Sequence, residues 1–371
     1  MQHIPFGTRS GFAIPRVNIG AMRLPDDHDE AVALIRMAID AGLRYIDTSR
    51  GYGESEIKLG KALKNGYRQK VILSTKWSPW ITKIEPNDDT SADCLRRRIE
   101  ESMKRLDVDY LDYYQLWNID SRAHYDLAVA KGGMLDGLKR AVADGLVGHM
   151  GFTTHDTVPN LLSYLNEAEW CEIILITYNL LNTHYGPVLP AAHEKGIGTI
   201  VMNPVGGGRL AQPSQVLEAL AARVGAVSVP DLAIRYLMSN PAIDTIIAGI
   251  GKPTDVTASI ASVNAGAFST EQLGQIDAFL STISRQREAY CTGCRYCLPC
   301  PQEIDIPAIM SDIFDDKVWG FGNVARERYQ ALKTPKAEAC AHCGTCQEKC
   351  PQKLDIMNEL EYANTAYTGK P

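Results

Sequence analysis

Short apolar runs alternate with longer amphipathic stretches between about residue 15 and residue 250. The runs are rich in β-branched and aromatic residues: VNIGAM, LRYIDT, KVILSTKW, YLDYYQLW, GHMGFT, CEIILITYN, GTIVMNPV and TIIAGI. Continuous apolar runs are typical of parallel strands that are buried on both faces. The stretches between them, such as DEAVALIRMAIDAG and SADCLRRRIEESMKRL, have the polar and apolar faces of helices. The pattern therefore predicts a series of eight β-α units.

Eight consecutive β-α units predict an α/β protein built on a (β/α)₈ TIM barrel. A doubly wound sheet is the competing fold, but it usually has fewer strands and a glycine-rich turn after the first strand. Here the first run is followed by AMRLPDDHDE, which lacks the G-x-G-x-x-G pattern. The barrel is therefore the favoured fold.

The chain has 371 residues, which leaves room for a small second domain beside a barrel, since a barrel takes about 250 residues. Two further helical stretches are predicted at roughly 254–264 and 270–286, and from Tyr290 onwards the chain is rich in Cys and Pro. A segment with so few apolar runs builds little core without a staple. We predict a barrel over residues 1–286 and a small, mainly helical domain over residues 287–371.

Charge and hydropathy restrict the partners. The net charge is −6, with acidic and basic residues interspersed, which indicates neither a nucleic-acid groove nor a polybasic membrane anchor. The N-terminal segment MQHIPFGTRSGFAIPRV lacks the apolar run of a signal peptide, and no stretch has the apolar length of a membrane-spanning helix. We expect a cytoplasmic protein without nucleic-acid or membrane partners, in which the cysteines do not form disulfides.

Eight of the ten cysteines form two runs near the C-terminus. The first run is C-x2-C-x2-C-x2-C-P and the second is C-x2-C-x2-C-x3-C-P, the spacing of a bacterial ferredoxin with a 4Fe–4S cluster. In two-cluster ferredoxins the fourth cysteine of each run ligates the other cluster. We therefore expect two 4Fe–4S clusters. The first would bind Cys291, Cys294, Cys297 and Cys350, and the second would bind Cys340, Cys343, Cys346 and Cys300.

The last spacing of the first run is one residue short, so the role of Cys300 stays open. The alternative is one or two zinc sites with four cysteines each, although zinc normally takes two separated cysteine pairs. Cys94 and Cys171 lie outside the runs and are expected to be small buried residues.

Polar residues stand where the predicted barrel strands end, which is where such barrels carry their chemistry. The second run ends in Asp47, followed by TSRGYGESE with Tyr52, and the third ends in Lys76. The fourth ends in Leu116, Trp117 and Asn118.

The segments IDTSRGYGESE and STKW resemble the aldo-keto reductase superfamily. GAMRLP, NPVGGGRL and the cysteine-rich tail resemble its subgroup with a C-terminal 4Fe–4S ferredoxin-like domain. The resemblance implies an oxidoreductase with a catalytic tetrad of Asp, Tyr, Lys and His, of which Asp47, Tyr52 and Lys76 match the first three. Lys76 would polarise the Tyr52 phenol, which protonates an alkoxide, and Asp47 would keep Lys76 charged. The alternative is a structural Asp–Lys pair beside a surface tyrosine.

The fourth position of the tetrad departs from the family, because Trp117 stands where the histidine is expected. An indole donates one hydrogen bond but cannot accept or shuttle a proton. Trp117 would then be a wall of the pocket, Asn118 could supply an amide, and a conjugated or unusual substrate becomes more plausible than a simple carbonyl.

The resemblance also implies an extended nicotinamide dinucleotide. Thr153, Asn179 and Asn203 would lie near its carboxamide and ring, with Thr177 where a glutamine is usual. The backbone amides of NPVGGGRL would bind the pyrophosphate, through Val205, Gly206, Gly207 and Gly208, unless this loop is only a flexible turn. Asp255 and Ser259 would lie at the adenosine end, where an acidic residue favours NAD(H) over NADP(H).

Three hypotheses follow. The first is a nicotinamide-dependent oxidoreductase acting on a carbonyl, alcohol or conjugated small molecule, with the clusters as electron relay. The second is a reductase fed through its clusters by a ferredoxin-like electron-transfer protein, with weak or no nicotinamide binding. The third is a non-catalytic electron-transfer or assembly subunit, against which the intact Asp–Tyr–Lys set argues. Fold alone does not decide among them.

Overall fold

The computed structural model describes residues 3–288, 290–291 and 293–368. Contacts divide the chain into two compact units. The barrel unit comprises Met1–Gly206 and Ala233–Ala267, and the cysteine-rich unit comprises Gly207–Leu232 and Phe268–Pro371. The domain boundary at residue 286 stays a prediction.

The barrel unit begins with a small antiparallel hairpin of β1 (His3–Pro5) and β2 (Ala13–Pro15). Phe6 follows β1 in the loop of this hairpin. Its ring packs edge-on against Tyr45 and Tyr113, near the beginnings of two barrel strands, with ring centroids 5.4 and 5.6 Å away. The hairpin therefore closes the end of the barrel where the strands begin. The hairpin was not predicted from the sequence, because strands of three residues leave too short a pattern.

Eight parallel strands close into a barrel, in which the last strand pairs with the first. They are β3 (Val17–Gly20), β4 (Tyr45–Asp47), β5 (Ile72–Trp77), β6 (Leu111–Ile119), β7 (Val147–Thr154), β8 (Ile173–Thr177), β9 (Gly198–Met202) and β10 (Thr245–Gly249). Six of these strands lie within one of the predicted apolar runs, while β6 extends two residues beyond its run and β7 extends one residue beyond each end of its run. The predicted (β/α)₈ barrel is confirmed.

Amphipathic helices cover the strands, and their boundaries follow from capping. Helix α3, for example, begins where Ser91 Oγ accepts a hydrogen bond from Cys94 N, and ends at Asp107 in the left-handed conformation. The helices of the barrel unit are α1 (His28–Asp40), α2 (Ser55–Ala62), α3 (Ala92–Leu106), α4 (Arg122–Val129), α5 (Met134–Ala143), α6 (Val158–Glu167), α7 (Val188–Glu194) and α10 (Pro253–Ala265).

The cysteine-rich unit is mainly helical, as predicted. Its helices are α8 (Gln215–Arg223), α11 (Thr270–Glu288), α12 (Ile306–Trp319), α13 (Gly322–Ala331), α14 (Thr345–Glu348) and α15 (Ile356–Thr368), while α9 (Val229–Met238) crosses the division. Apolar side chains of α12, α13 and α15 share one core with Cys346 and Cys350. Within the described ranges, no helix combines the length and apolarity needed to cross a membrane.

Candidate active site

Asp47 and Lys76 form a buried ion pair at the ends of neighbouring strands. Lys76 Nζ donates to Asp47 Oδ1 and, over 2.9 Å, to the carbonyl oxygen of Thr48. The two side chains are 3% and 1% exposed. Burial alone would lower the pKa of Lys76, but the charges and hydrogen bonds of Asp47 and Tyr52 raise it above its usual value. Lys76 is therefore a cation at neutral pH.

Gln115 is a further member of this group, which the sequence analysis missed. It lies beside Lys76 in the β5–β6 register, and its Nε2 donates to Asp47 Oδ2 over 2.9 Å and to Ser74 Oγ over 2.8 Å. Gln115 thus holds the carboxylate oxygen that is not bonded to Lys76. The available signal was a fully polar side chain inside the apolar run YLDYYQLW, two positions before Trp117 and so on the same side of the strand.

Tyr52 lies on the turn after β4, beside this ion pair. The Lys76 ammonium is 4.9 Å from the centroid of the Tyr52 ring. Burial raises the pKa of the Tyr52 hydroxyl above its usual value, against the attraction of the Lys76 charge, which acts to lower it. The phenol is therefore protonated at neutral pH and can donate a hydrogen bond.

Trp117 packs on the same turn and fixes the Tyr52 ring. The two rings meet edge to face, with centroids 5.4 Å apart and planes at 87°. A Cβ at Gly51 would lie 2.4 Å from Cζ3 of Trp117, so only glycine leaves room for the indole here. Gly51 is thus a second residue that the sequence analysis missed, although the RGYGE motif contains it. Trp117 thus lies in β6 against the turn that carries Tyr52, and its role as a wall of the pocket stays a prediction.

Asn118 is held in an unusual backbone conformation, with φ of +53°. Its N–H donates to Thr153 Oγ1 over 2.7 Å, and its carbonyl oxygen accepts from the Trp80 indole over 2.7 Å. The side-chain Nδ2 donates to Asp120, and Oδ1 is buried without a hydrogen-bond partner in the part of the chain that the structure describes. Asn118 thus has a buried carbonyl oxygen that can accept a hydrogen bond, and one of the two N–H groups of its amide is used by Asp120.

The candidate carboxamide residues have different roles in the structure. Thr153 supports Asn118, and Asn179 organises its own loop, since Oδ1 accepts from the N–H groups of Leu181 and Asn182 and Nδ2 donates to the Asn203 carbonyl. The free group is Thr177 Oγ1 at the end of β8, a buried hydroxyl with no partner among the described residues. This orphaned hydroxyl fits a ligand amide better than Asn179 does.

The glycine-rich loop adopts backbone conformations that favour glycine. Asn203, Gly206, Gly207 and Gly208 have φ of 62°, 60°, 70° and 101°, and the half-buried Val205 lies between them. The Gly206 N–H donates to the Asn203 carbonyl oxygen over 2.9 Å, and Gly207 and Gly208 continue the turn in left-handed conformations that glycine adopts readily. The contact of this loop with a pyrophosphate stays a prediction.

Asp255 and Ser259, expected at the adenosine end, make hydrogen bonds within and around α10. Asp255 Oδ2 accepts from the N–H groups of Gly251 and Lys252 over 2.9 and 3.1 Å, which caps the helix. Ser259 is buried, and its hydroxyl donates to the Asp255 carbonyl over 2.8 Å. In this arrangement both side chains stabilise the start of α10.

The cysteines of the second unit line two cavities. One is lined by Cys291, Cys294, Cys297 and Cys350. The other is lined by Cys300, Cys340, Cys343 and Cys346, with Cys297 also contributing to its wall. Apart from the shared Cys297, each cavity has its own set of cysteines, so that four thiols and apolar walls are available to each, a donor set that fits a 4Fe–4S cluster. The grouping is the one expected if the fourth cysteines are exchanged between the runs, and Cys94 and Cys171 lie buried elsewhere.

Comparison with known families agrees with the fold and these two features. The Aldo/keto reductase family profile matches residues 16–281, and the 4Fe-4S dicluster domain profile matches residues 290–355. The chain therefore belongs to the Aldo/keto reductase family and carries a C-terminal 4Fe–4S domain. It is an oxidoreductase.

Known relatives and solved structures resemble the barrel. The chain is 32% identical to a 6-dehydroglucose reductase of Novosphingobium aromaticivorans over 63% of this chain and 81% of that protein. It is also 32% identical to the uncharacterized oxidoreductase YrpG of Bacillus subtilis, over 54% of this chain and 66% of that protein. The holo form of aldo-keto reductase AKR11C1 from Bacillus halodurans superposes with a TM-score of 0.66 at 23% identity, covering 75% of this chain and 96% of that one.

Proposed function

We propose that the barrel oxidises or reduces a carbonyl/alcohol-type or conjugated small molecule with a nicotinamide cofactor. The observation that supports this proposal is the contact between Tyr52 and Lys76. Lys76 is kept charged by its ion pair with Asp47, and the other carboxylate oxygen of Asp47 accepts a hydrogen bond from Gln115. A reduced nicotinamide, when bound, supplies a hydride. Tyr52 then donates its hydroxyl proton to the oxygen of the carbonyl group.

The other residues prepare this proton transfer. Lys76 stabilises the tyrosinate that remains after the proton has left, because its ammonium lies beside the ring. Asp47 and Gln115 fix Lys76 in place, and Trp117 limits the orientations of the phenol and of the substrate. Thr153, Thr177 and the glycine-rich loop would hold the nicotinamide dinucleotide. We propose NAD(H) rather than NADP(H), because the acidic Asp255 disfavours the 2′-phosphate of NADP(H). The positive charge of Lys252 would have the opposite effect.

We further propose that the two cysteine cavities hold two 4Fe–4S clusters that relay electrons. Clusters exchange one electron at a time whereas a hydride carries two, so a relay role requires an additional one-electron step. The competing function is a reductase that a ferredoxin-like partner supplies through the clusters. The hydrogen bonds that engage Asp255 and Asn179 within the protein favour this alternative, and the intact Asp47–Lys76–Tyr52 group favours the first.

A polyhydroxylated carbonyl compound is a suitable first substrate. The named relative is a 6-dehydroglucose reductase. In this chain the Trp80 indole donates to the carbonyl oxygen of Asn118, and Oδ1 of Asn118 is buried without a partner among the described residues. We propose to assay 6-dehydroglucose beside a simple aldehyde and a conjugated ketone, with NADH and NADPH and in the absence of oxygen. Oxidation of the nucleotide that depends on an added carbonyl supports the proposal.

Replacing Trp117 by histidine should improve reduction of a small aldehyde. The imidazole would restore a hydrogen-bond donor for the carbonyl oxygen and would enlarge the pocket. We expect kcat/KM for the simple aldehyde to rise about tenfold, since such a contact has the strength of an ordinary hydrogen bond, while kcat/KM for the natural substrate falls. The control is Trp117→Phe, which enlarges the pocket without supplying a donor. An equal gain in both variants would assign the effect to space alone.

The pH dependence of reduction should follow the proton on Tyr52. Reduction requires the protonated phenol, so activity is lost as the pH rises through the pKa of Tyr52. Because burial raises that pKa above the usual value of about 10, the alkaline fall of kcat/KM should be centred above pH 10. The profile should be measured with the cluster absorbance recorded at each pH. A fall centred near pH 8 would show that the Lys76 charge outweighs burial.

A further inference from the structure

The segment that follows the glycine-rich loop docks on a helix of the cysteine-rich unit. Arg209 comes directly after Gly207 and Gly208, and its Nη2 donates to Asp315 Oδ1 on α12. The Arg209 guanidinium also lies 5.6 Å from the centroid of the Phe321 ring. Ser214, five residues further on, donates to the carbonyl oxygen of Trp319 over 2.6 Å. Three contacts thus hold this segment to the C-terminal part of α12 and the residues after it.

The ion pair between Arg209 and Asp315 belongs to a charge cluster in which the carboxylates are buried and the Arg209 and Arg328 side chains are 34% and 40% exposed. Asp312 and Asp315 are 6% exposed, and Arg328 donates to both of them, over 2.8 Å in the case of Asp312. Two carboxylates therefore face two guanidinium groups, so neither arginine is a spare surface charge. Hydrogen bonds between charged groups in such surroundings are short, directional and about twice as strong as neutral ones. The cluster is suited to hold Arg209 in one position.

The opposite end of α12 reaches the cluster cavities. Ile306, its first residue, lines both cavities, and Met310 lines the one formed with Cys350. The helix spans 14 residues, which corresponds to about 21 Å at 1.5 Å per residue. One rigid element therefore touches the cluster sites at its start and carries Asp315 near its end.

We propose that Arg209 and Asp315 are positioning residues for the Gly207–Gly208 turn, and that loaded iron–sulfur sites maintain pyrophosphate binding by supporting α12. This inference rests on the proposed function, in which the turn binds the pyrophosphate of the dinucleotide. A small unit stapled by metal loses much of its packing when the metal is removed. Loss of the clusters would free the start of α12, displace Asp315 and release Arg209 from its place after the turn. The clusters then serve nucleotide binding as a scaffold, whether or not they also carry electrons.

The first test measures nucleotide binding rather than turnover. Binding of NADH and NADPH to the anaerobically purified full chain would be followed by nucleotide fluorescence. Arg209→Met should raise the Kd of the preferred nucleotide at least about tenfold, the range of a lost charge-assisted hydrogen bond, with iron content and visible absorbance unchanged. The matched control is Lys317→Met, which removes another ion pair of α12, the one with Glu359, but leaves the charge cluster around Arg209 and Asp315 intact. Its Kd should change less than about threefold.

The inference would be overturned if Arg209→Met changes the Kd by less than about twofold while the clusters are intact. Equal effects of the two variants on the Kd would also overturn it. If the wild type binds neither nucleotide, the proposed function itself fails. A second measurement still tests whether α12 holds the Gly207–Gly208 turn in place. Hydrogen exchange of residues 206–211 would be compared in wild-type protein with clusters and after anaerobic chelation of the iron. Faster exchange of both 206–211 and 306–319 after chelation supports the inference that α12 holds the turn. Faster exchange confined to 306–319 contradicts it. This comparison also serves if Arg209→Met fails to fold.

Discussion

The variant Tyr52→Phe should lose carbonyl reduction almost completely. The substitution removes only the hydroxyl, so the edge-to-face packing on Trp117 and the place of the ring beside Lys76 remain. General acid catalysis by a positioned side chain contributes about 10²- to 10⁴-fold. We expect kcat to fall by about that factor, with little change in nucleotide Kd, because the phenol acts on the substrate oxygen. Steady-state oxidation of the reduced nucleotide at 340 nm measures the loss.

Tyr67→Phe is the matched control for this experiment. Its hydroxyl bonds to Asp40 at the surface of the barrel unit, so its removal should leave kcat within about twofold. If Tyr52→Phe also retains its activity, Tyr52 is not the proton donor, and the cluster-fed alternative becomes the better account of the barrel.

Pairs of cysteine substitutions should reveal how the two runs share their ligands. With the fourth cysteines exchanged, Cys294 and Cys350 belong to one cluster, whereas Cys343 belongs to the other. The double variant Cys294→Ser/Cys350→Ser should therefore lose one cluster and keep about four irons per chain, out of about eight in the wild type. The double variant Cys343→Ser/Cys350→Ser should lose both. Iron and sulfide analysis, together with electron paramagnetic resonance of the reduced protein, measures the outcome.

The reverse result would contradict the exchange. If each run ligated its own cluster, Cys343→Ser/Cys350→Ser would keep about four irons and Cys294→Ser/Cys350→Ser would lose nearly all of them. Because the two variants differ in one position only, a general loss of folding would affect both and is recognised by the absence of any difference between them.

Much of the fold could be predicted because hydrophobic runs and helical stretches alternate in a single period. Each barrel strand is a continuous apolar run, and the buried ends of the strands place Asp47 and Lys76 together without any long-range information. The cysteine spacing similarly predicted which thiols share a cavity. The hairpin β1–β2 escaped prediction because strands of three residues leave too short a pattern.

The parts of the site that could not be predicted depend on side-chain contacts between distant segments. Gln115 was hidden in an apolar run, and its bond to Asp47 joins residues 68 positions apart. Asn179 is expected to contact the nicotinamide, and the bonds of its Oδ1 to the N–H groups of Leu181 and Asn182 could not be inferred from residue type; its contact with the cofactor stays a prediction. Arg209 follows the glycine-rich turn in the sequence, and its partner Asp315 lies 106 positions further along the chain. Residue type indicates what a side chain can do, but not which partner it has.

The central proposal is tested most directly by anaerobic titration of the cluster-loaded wild-type protein with NADH and NADPH. Absorbance would be followed at 340 nm and at the visible cluster band, before and after addition of a carbonyl compound. We expect saturable nucleotide binding, and we expect loss of absorbance at 340 nm when the carbonyl compound is added, in the wild type but not in Tyr52→Phe. The proposal would be contradicted if neither nucleotide binds while dithionite bleaches the clusters and the reduced protein then converts the carbonyl compound, which would make the clusters the source of the electrons.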